Sequence, residues 1–171
     1  MSCFVRRTLV IFVLVTVVGF PLLSAGSDVM AQAVPSLSIT APSDISAWAL
    51  APDGSQPKTQ SGTLSVTTTS ADGKSWSVAV SDNNSVTNGR MTKHDGASYV
   101  SGTKLGTPMQ VVGPAGTVTL PLGGPVITGS GNVTSANYII TFSQRVLWSD
   151  AVITGPSSYR LSVTFSGSIQ P

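Results

Sequence analysis

Two patterns of hydrophobic residues divide the chain. The first is a block: Arg6 and Arg7 precede an apolar run from Thr8 to Leu23, and small or polar residues then lead to Ala31-Gln32-Ala33. The second starts at Val34 and is an alternation. Large apolar residues occupy every second position in Leu64-Ser65-Val66-Thr67 and in Trp76-Ser77-Val78-Ala79-Val80. Tyr138, Ile140 and Phe142 share one face against Ile139, Thr141 and Ser143, and Tyr159, Leu161, Val163 and Phe165 do the same against Arg160, Ser162, Thr164 and Ser166. A period of two marks strands with one buried and one wet face. Thr on the wet face suits this, because its branched Cβ favours the pleated surface. Beyond the opening block no stretch places apolar residues at helical spacing.

Turn residues fall where short strands need them. Asp53-Gly54, Asp72-Gly73 and Asp95-Gly96 are dipeptides in which Gly supplies a positive φ. Asp72-Gly73 lies between the strands predicted at 64–69 and 76–81, which predicts a hairpin. Asp82-Asn83-Asn84, Gly113-Pro114, Gly123-Gly124-Pro125, Gly129-Ser130-Gly131 and Gly155-Pro156 mark further corners. Strands are expected at 36–40, 45–50, 63–69, 76–81, 89–92, 109–112, 117–120, 137–144 and 158–167. Their spacing of roughly 8–12 residues is that of an all-β sandwich. The expected fold is therefore all-β: a single immunoglobulin-like or jelly-roll-like β-sandwich of about nine strands over 34–171, following a signal peptide at 1–33.

The opening block has the three parts of a secretory signal: a positive start, an apolar middle and an A-x-A site. Cleavage between Ala33 and Val34 is expected. The apolar run is shorter than the ~18–20 residues a membrane span requires, and Pro21 interrupts it. Leu23-Ser24-Ala25-Gly26 resembles the start of a lipoprotein box, but Ser27 follows where the acylated Cys would stand. The chain is expected to be secreted and held at the cell surface by non-covalent contacts, with no membrane span after cleavage.

Composition narrows the chemistry. The 171 residues carry a formal net charge of +2, only 9% are charged and Glu is absent. Nucleic-acid binding, which rests on clustered Lys and Arg, is not expected. The single cysteine, Cys3, lies in the signal, so no disulfide or thiolate is expected in the exported part. Ser and Thr supply about three tenths of the chain from Val34 on.

Catalytic and metal sites find little material. Asp44, Asp53, Asp72, Asp82, Asp95 and Asp150 are the only carboxylate side chains after Val34, and most sit in turns. A pair of aspartates at glycosidase spacing is the enzymatic reading; turn and cap roles are the favoured one. His94, the only histidine, stands beside Lys93 and Asp95-Gly96 and is expected in an exposed turn. One His and no Cys cannot make a tetrahedral zinc set. The run from Asp82 to Gly89 crowds oxygen ligands into one loop, yet Val86 breaks the calcium-loop spacing and no terminal Glu follows. No catalytic residue, cofactor or metal is expected. Asn83-Asn84-Ser85 and Asn132-Val133-Thr134 are N-glycosylation sequons.

Two binding readings have a physical basis. Trp48 and Trp148 lie near strand ends, where a half-exposed ring can stack on a sugar; core or rim packing is the favoured alternative for both. Leu37, Ile39 and Ala41 alternate with Ser and Thr right after the cleavage site. Such a strand can complete a neighbour's sheet, although pairing within its own sandwich is favoured.

Gly62-Thr63-Leu64-Ser65-Val66, Trp76 to Asp82 and the closing Tyr159 to Phe165 resemble uncharacterised secreted surface domains of archaea, notably methanogens. More distantly the chain is similar to the WxL cell-wall-binding domains of Gram-positive bacteria, with Trp48-Ala49-Leu50 in the W-x-L form; a second W-x-L is absent, its strand reading Val163-Thr164-Phe165. The likeness implies an extracytoplasmic β-sandwich associated with the cell surface. The expected function is thus a non-enzymatic, structural or adhesive one in the envelope, with an envelope polymer, other surface proteins or further copies of itself as partners. The alternatives are a carbohydrate-binding module built on Trp48 or Trp148 and, after it, a secreted hydrolase.

Overall fold

A computed structural model describes residues 33–170; the expected signal peptide lies outside the described residues except for Ala33. The alternating segments form strands, and no helix occurs among the described residues. In chain order the strands are β1 (Ser36–Thr40), β2 (Lys58–Thr69), β3 (Ser75–Ser81), β4 (Thr92–His94), β5 (Tyr99–Lys104), β6 (Gln110–Gly113), β7 (Gly116–Thr119), β8 (Gly124–Ser130), β9 (Val133–Gln144), β10 (Ser158–Arg160) and β11 (Thr164–Gln170). A five-stranded sheet runs β1-β2-β9-β6-β7, a three-stranded sheet β11-β3-β8, and a second three-stranded sheet β10-β4-β5. Every pairing is antiparallel.

The first two sheets enclose one core. Leu64 and Val66 of β2, Ile140 and Phe142 of β9 and Val111 of β6 meet Trp76, Val78 and Val80 of β3, Val126 and Ile127 of β8 and Phe165 of β11. All are buried; the period of two holds except in β8, where a register shift against β3 turns the adjacent Val126 and Ile127 both inward. At one side β1 packs beside β11, and at the other β7 packs beside β8. The result is a β-sandwich. Its outer faces carry hydroxyls that pair across strands: Ser36 with Thr69 at 2.6 Å, Ser61 with Thr141 at 2.9 Å, Ser65 with Asn137, and Ser77 with Ser168 at 3.0 Å. Lys58, at the start of β2, is the one charged residue in the eight strands of these two sheets.

Several elements differ from the sequence expectation. Asp72-Gly73 does not close a hairpin. β2 pairs with β1 and β9, whereas β3 pairs with β8 and β11, so this turn carries the chain from one sheet to the other. Alternation reports that each strand has a buried face; it does not say whether the two strands lie side by side or face to face. The corner is fixed from a distance. Ala71 is fully buried and donates its N–H to the Asn132 side-chain oxygen at 2.8 Å, while Gly131 donates its N–H to the Lys74 carbonyl at 3.0 Å. Gly131 and Asn132 form the crossing between β8 and β9, so two sheet-crossing corners are bonded to each other.

The segment 45–50 is not a strand, although Trp48 and Leu50 are buried. Its apolar residues pin an irregular connection onto the core, and backbone groups there find side-chain partners, as when Gln56 Nε2 donates to the Ala51 carbonyl at 2.7 Å. The stretch 158–167 is divided into β10 and β11, which belong to different sheets. From Tyr159 on its alternation nevertheless holds, with Tyr159, Leu161, Val163 and Phe165 buried; Ser158, before it, is buried as well. β5 and β8 were not expected, which makes eleven strands in place of nine. Gly102 in β5 and the Gly124-Pro125 start of β8 read locally as turn signals.

Candidate functional site

The most exposed large apolar side chain among the described residues is Trp148, at 84%, followed by Leu122 at 77% and Val152 at 75%. The turn that carries Trp148 is held at both ends. On the inner side, β9 ends at the fully buried Gln144, whose Nε2 donates to the Thr107 carbonyl at 3.1 Å, the Thr107 hydroxyl at 3.0 Å and the Arg145 carbonyl at 2.8 Å. The Thr107 hydroxyl itself donates to the Arg145 carbonyl at 2.6 Å. Val146 is buried and donates its N–H to Gln56 Oε1 at 3.1 Å. On the far side, the Asp150 carboxylate accepts the Leu147 N–H and the Gly106 N–H, both at 2.7 Å. The Asp150 N–H returns to the Leu147 carbonyl at 3.1 Å, and the Tyr159 hydroxyl donates to the Ala151 carbonyl at 2.8 Å.

This arrangement has a chemical consequence. An exposed indole on a mobile loop loses conformational entropy on binding; one on a fixed turn has already lost much of it. The ring offers an apolar face with one N–H donor, the pairing that suits a sugar's C–H face and hydroxyl rim. Gly106 is part of the device: a Cβ there would lie 3.0 Å from Leu147 Cδ1 and 3.1 Å from Asp150 Oδ1. Sequence reading named Trp148 but not the Gln144, Thr107 and Asp150 bonds beneath it. Only the Trp-Ser-Asp order hinted at an aspartate closing a turn.

Trp48 is a correction. It is 2% exposed and lies in the core cluster, so it presents no face to a ligand. The two tryptophans named together have opposite environments.

The loop from Asp82 to Gly89 is closed by its own carboxylate. Asp82 is buried; one oxygen accepts the Asn84 N–H at 3.0 Å, and the other accepts the Thr87 hydroxyl at 2.5 Å and the Gly89 N–H at 2.6 Å. The oxygens that a calcium ion would use already serve the loop. Gly89 is required here: φ is +76°, and a Cβ would fall 2.3 Å from the Leu120 carbonyl carbon.

The two sequons differ. Asn83 is exposed, and its side-chain oxygen accepts the Ser81 hydroxyl at 3.2 Å. Asn132 uses both ends of its amide, accepting from Ala71 and donating to Asp72 at 2.8 Å each.

His94 is not a solvated turn residue. It is half-buried at the end of β4, edge-to-face with Tyr99 at a centroid distance of 5.1 Å, and Nδ1 accepts the Gly96 N–H at 3.0 Å. Burial lowers its pKa below the ordinary imidazole value and Arg160 adds to the lowering, while Asp95 opposes them. The turn aspartates behave as expected. Asp95 accepts the Ser98 N–H and then the Ala97 N–H, which in that order hold its pKa below the usual carboxylate value. Asp53, lowered first by Lys58 and then by the Ser55 N–H, pairs with Lys58 at 2.6 Å. Asp44 is exposed.

The segment after the expected cleavage site pairs in its own sheet. β1 runs antiparallel to β2 from Ser36 opposite Thr69 to Thr40 opposite Ser65. Leu37 and Ile39 are buried, and Ala41 packs against the core. Both larger side chains lie on Gly167, where a Cβ would come within 2.1 Å of Leu37 Cδ2. Ala33 and Val34 are exposed. No helix among the described residues is long and apolar enough to cross a membrane.

Comparison with known proteins adds no relative: no protein-family model, no curated protein and no solved structure matches the chain.

Proposed function

We propose that the chain is an exported, non-enzymatic β-sandwich of the cell envelope with a structural and adhesive role. The observation that supports this most is the nature of its two large sheets, hydroxyl-covered outside and carrying one charged residue in eight strands. Such faces can lie against a polymer or another copy with little charge to desolvate. The resemblance to secreted archaeal surface domains and to WxL domains is in keeping with that placement. The absence of a catalytic role is supported by the carboxylates, since Asp53, Asp82, Asp95 and Asp150 each accept hydrogen bonds from their own turns. The expected partners are an envelope polymer, other surface proteins or the chain itself.

The test is fractionation of the producing cells, followed by sedimentation of the purified protein with isolated envelopes and microscopy for fibres. Recovery in the envelope fraction, with co-sedimentation or fibres, is expected. Recovery from the cytosol with residues 1–33 intact, or turnover of any glycan or peptide, would overturn the reading.

A second reading, a carbohydrate-binding module, is favoured by one observation: Trp148 is 84% exposed on a turn tied at both ends. Retention on a neutral polysaccharide column that disappears in Trp148→Ala would establish it; equal retention of both proteins would remove it.

A further inference from the structure

The charges of the described residues are unevenly placed. Arg90, Lys93, Lys104 and Arg160 all lie on or beside the small sheet β10-β4-β5, where the one carboxylate is Asp95. Everywhere else Lys58, Lys74 and Arg145 stand against Asp44, Asp53, Asp72, Asp82 and Asp150. A molecule with almost balanced charge therefore keeps its positive surplus on one three-stranded element.

Register organises that surplus. Thr92 of β4 is opposite Arg160 of β10 on one side and Lys104 of β5 on the other. Side chains directly opposite in an antiparallel pair project from the same face. The guanidinium and ammonium thus stem from one rung, their Cα atoms two strand spacings or roughly 10 Å apart. Beyond this rung the β4–β5 register breaks, and His94 is opposite Ser158 on one side and Tyr99 on the other. Tyr159, Leu161 and Val163, of opposite parity, are buried in the core, which turns Arg160 away from it; Thr92 is fully buried between Arg160 and Lys104, both of which are half-buried. Arg160 is steered by its Nε donating to the Ser158 hydroxyl at 3.1 Å, and Lys104 reaches only the Val86 carbonyl, at 3.5 Å. Asp95 is turned to the Ala97 and Ser98 N–H groups and does not neutralise them. With Nδ1 accepting from Gly96, the neutral ring carries its proton on Nε2 and adds a donor.

We propose that the β10-β4-β5 sheet binds an anionic glycan through Arg160 and Lys104, an inference that rests on the envelope placement above and names the chemistry of one partner. An acidic polysaccharide fits because its carboxylates or sulfates are spaced along a chain and are recognised by separated cations. Single-stranded nucleic acid fits poorly: it needs aromatic faces for its bases, and the two rings here are turned edge-to-face on each other.

The experiment measures binding of the purified protein to polygalacturonate, dextran sulfate, neutral dextran and single-stranded DNA at low and at physiological salt. Expected is retention of both acidic polymers, weakened by salt, no retention of neutral dextran, and at least a tenfold loss in the K104Q/R160Q variant. K104Q alone, which breaks only a long contact, should lose several-fold, while K74Q, at the sheet-crossing corner, should match the unsubstituted protein. Equal loss in K74Q, DNA bound as tightly as polygalacturonate, or no binding of either acidic polymer would overturn the proposal. If envelopes still sediment the K104Q/R160Q variant undiminished, this proposal fails while the envelope reading stands.

Discussion

Asn132 spans the seam between the two large sheets by holding Asp72: its Nδ2 donates to Asp72 Oδ1 at 2.8 Å while its own oxygen takes the Ala71 N–H at 2.8 Å. One side chain therefore secures both crossings. Asn132→Ala should leave the N–H of the fully buried Ala71 unpaired, costing about 1–3 kcal/mol. Chemical denaturation would read this as a lower midpoint with an unchanged slope. The same engagement predicts that, in a glycosylating host, mass spectrometry finds the folded chain modified at Asn83 in preference to Asn132.

A second expectation concerns Asp82. Asp82→Ala removes the acceptor for Thr87 and Gly89, both buried, and should destabilise by about 2–4 kcal/mol. Because those oxygens already serve the loop, millimolar calcium or a chelator should leave the melting temperature of the unsubstituted protein unchanged. A rise with calcium would show that the loop opens to take the ion.

Gly129→Ala should be disruptive although it adds a single methyl group. That methyl would sit 2.1 Å from Trp76 Cζ2, and the ring, buried at 3% exposure, has little room to withdraw. Overpacking of this kind costs about 1–3 kcal/mol. A near-ultraviolet dichroism change should accompany the loss, since the indole must reorient.

For His94 the sign follows from its lowered pKa. The unfolded chain takes up the proton at the ordinary imidazole value, and the folded chain takes it up only at lower pH. Stability is constant above the ordinary value, declines as pH falls from there to the lowered folded value, and is then constant at a smaller level. Protonation at Nδ1 also removes the acceptor for the Gly96 N–H. A titration of the ring by NMR should give a midpoint below that of a free imidazole, and His94→Gln should flatten this part of the stability profile.

Trp148→Ala should change stability by no more than about 0.5 kcal/mol, because the ring is almost wholly in solvent. Its removal leaves Trp48 and Trp76, both buried, so fluorescence emission should move to shorter wavelength. An unchanged emission maximum would mean that the indole is covered.

The sequence made the inner faces legible because alternation is a local property. Leu64 and Val66, Trp76 and Val78, and Tyr159 to Phe165 all face inward as their period requires. It made sheet membership illegible because that is settled by partners far along the chain: β2 finds β9 and β3 finds β11, and the Asp-Gly turn between them is compatible with a hairpin or a crossing. The same limit separates the tryptophans. Both Trp48 and Trp148 border turn residues, and only the packing of 41–57 on the core buries one while the Asp150 and Gln144 bonds expose the other. The cationic rung was hidden for a related reason: Lys104 and Arg160 are distant in sequence and meet only through Thr92.

The seat of Leu37 and Ile39 on Gly167 sets an order of events for a polypeptide that emerges N-terminus first, as the proposed export requires. Their strand can find β2 early, but the surface that receives their side chains arrives only when the final strand has emerged. Maturation of this domain should therefore finish late, after β11 has emerged. Under the proposed export, interrupting translocation before β11 should yield a protease-sensitive species, even though ten of the eleven described strands are present.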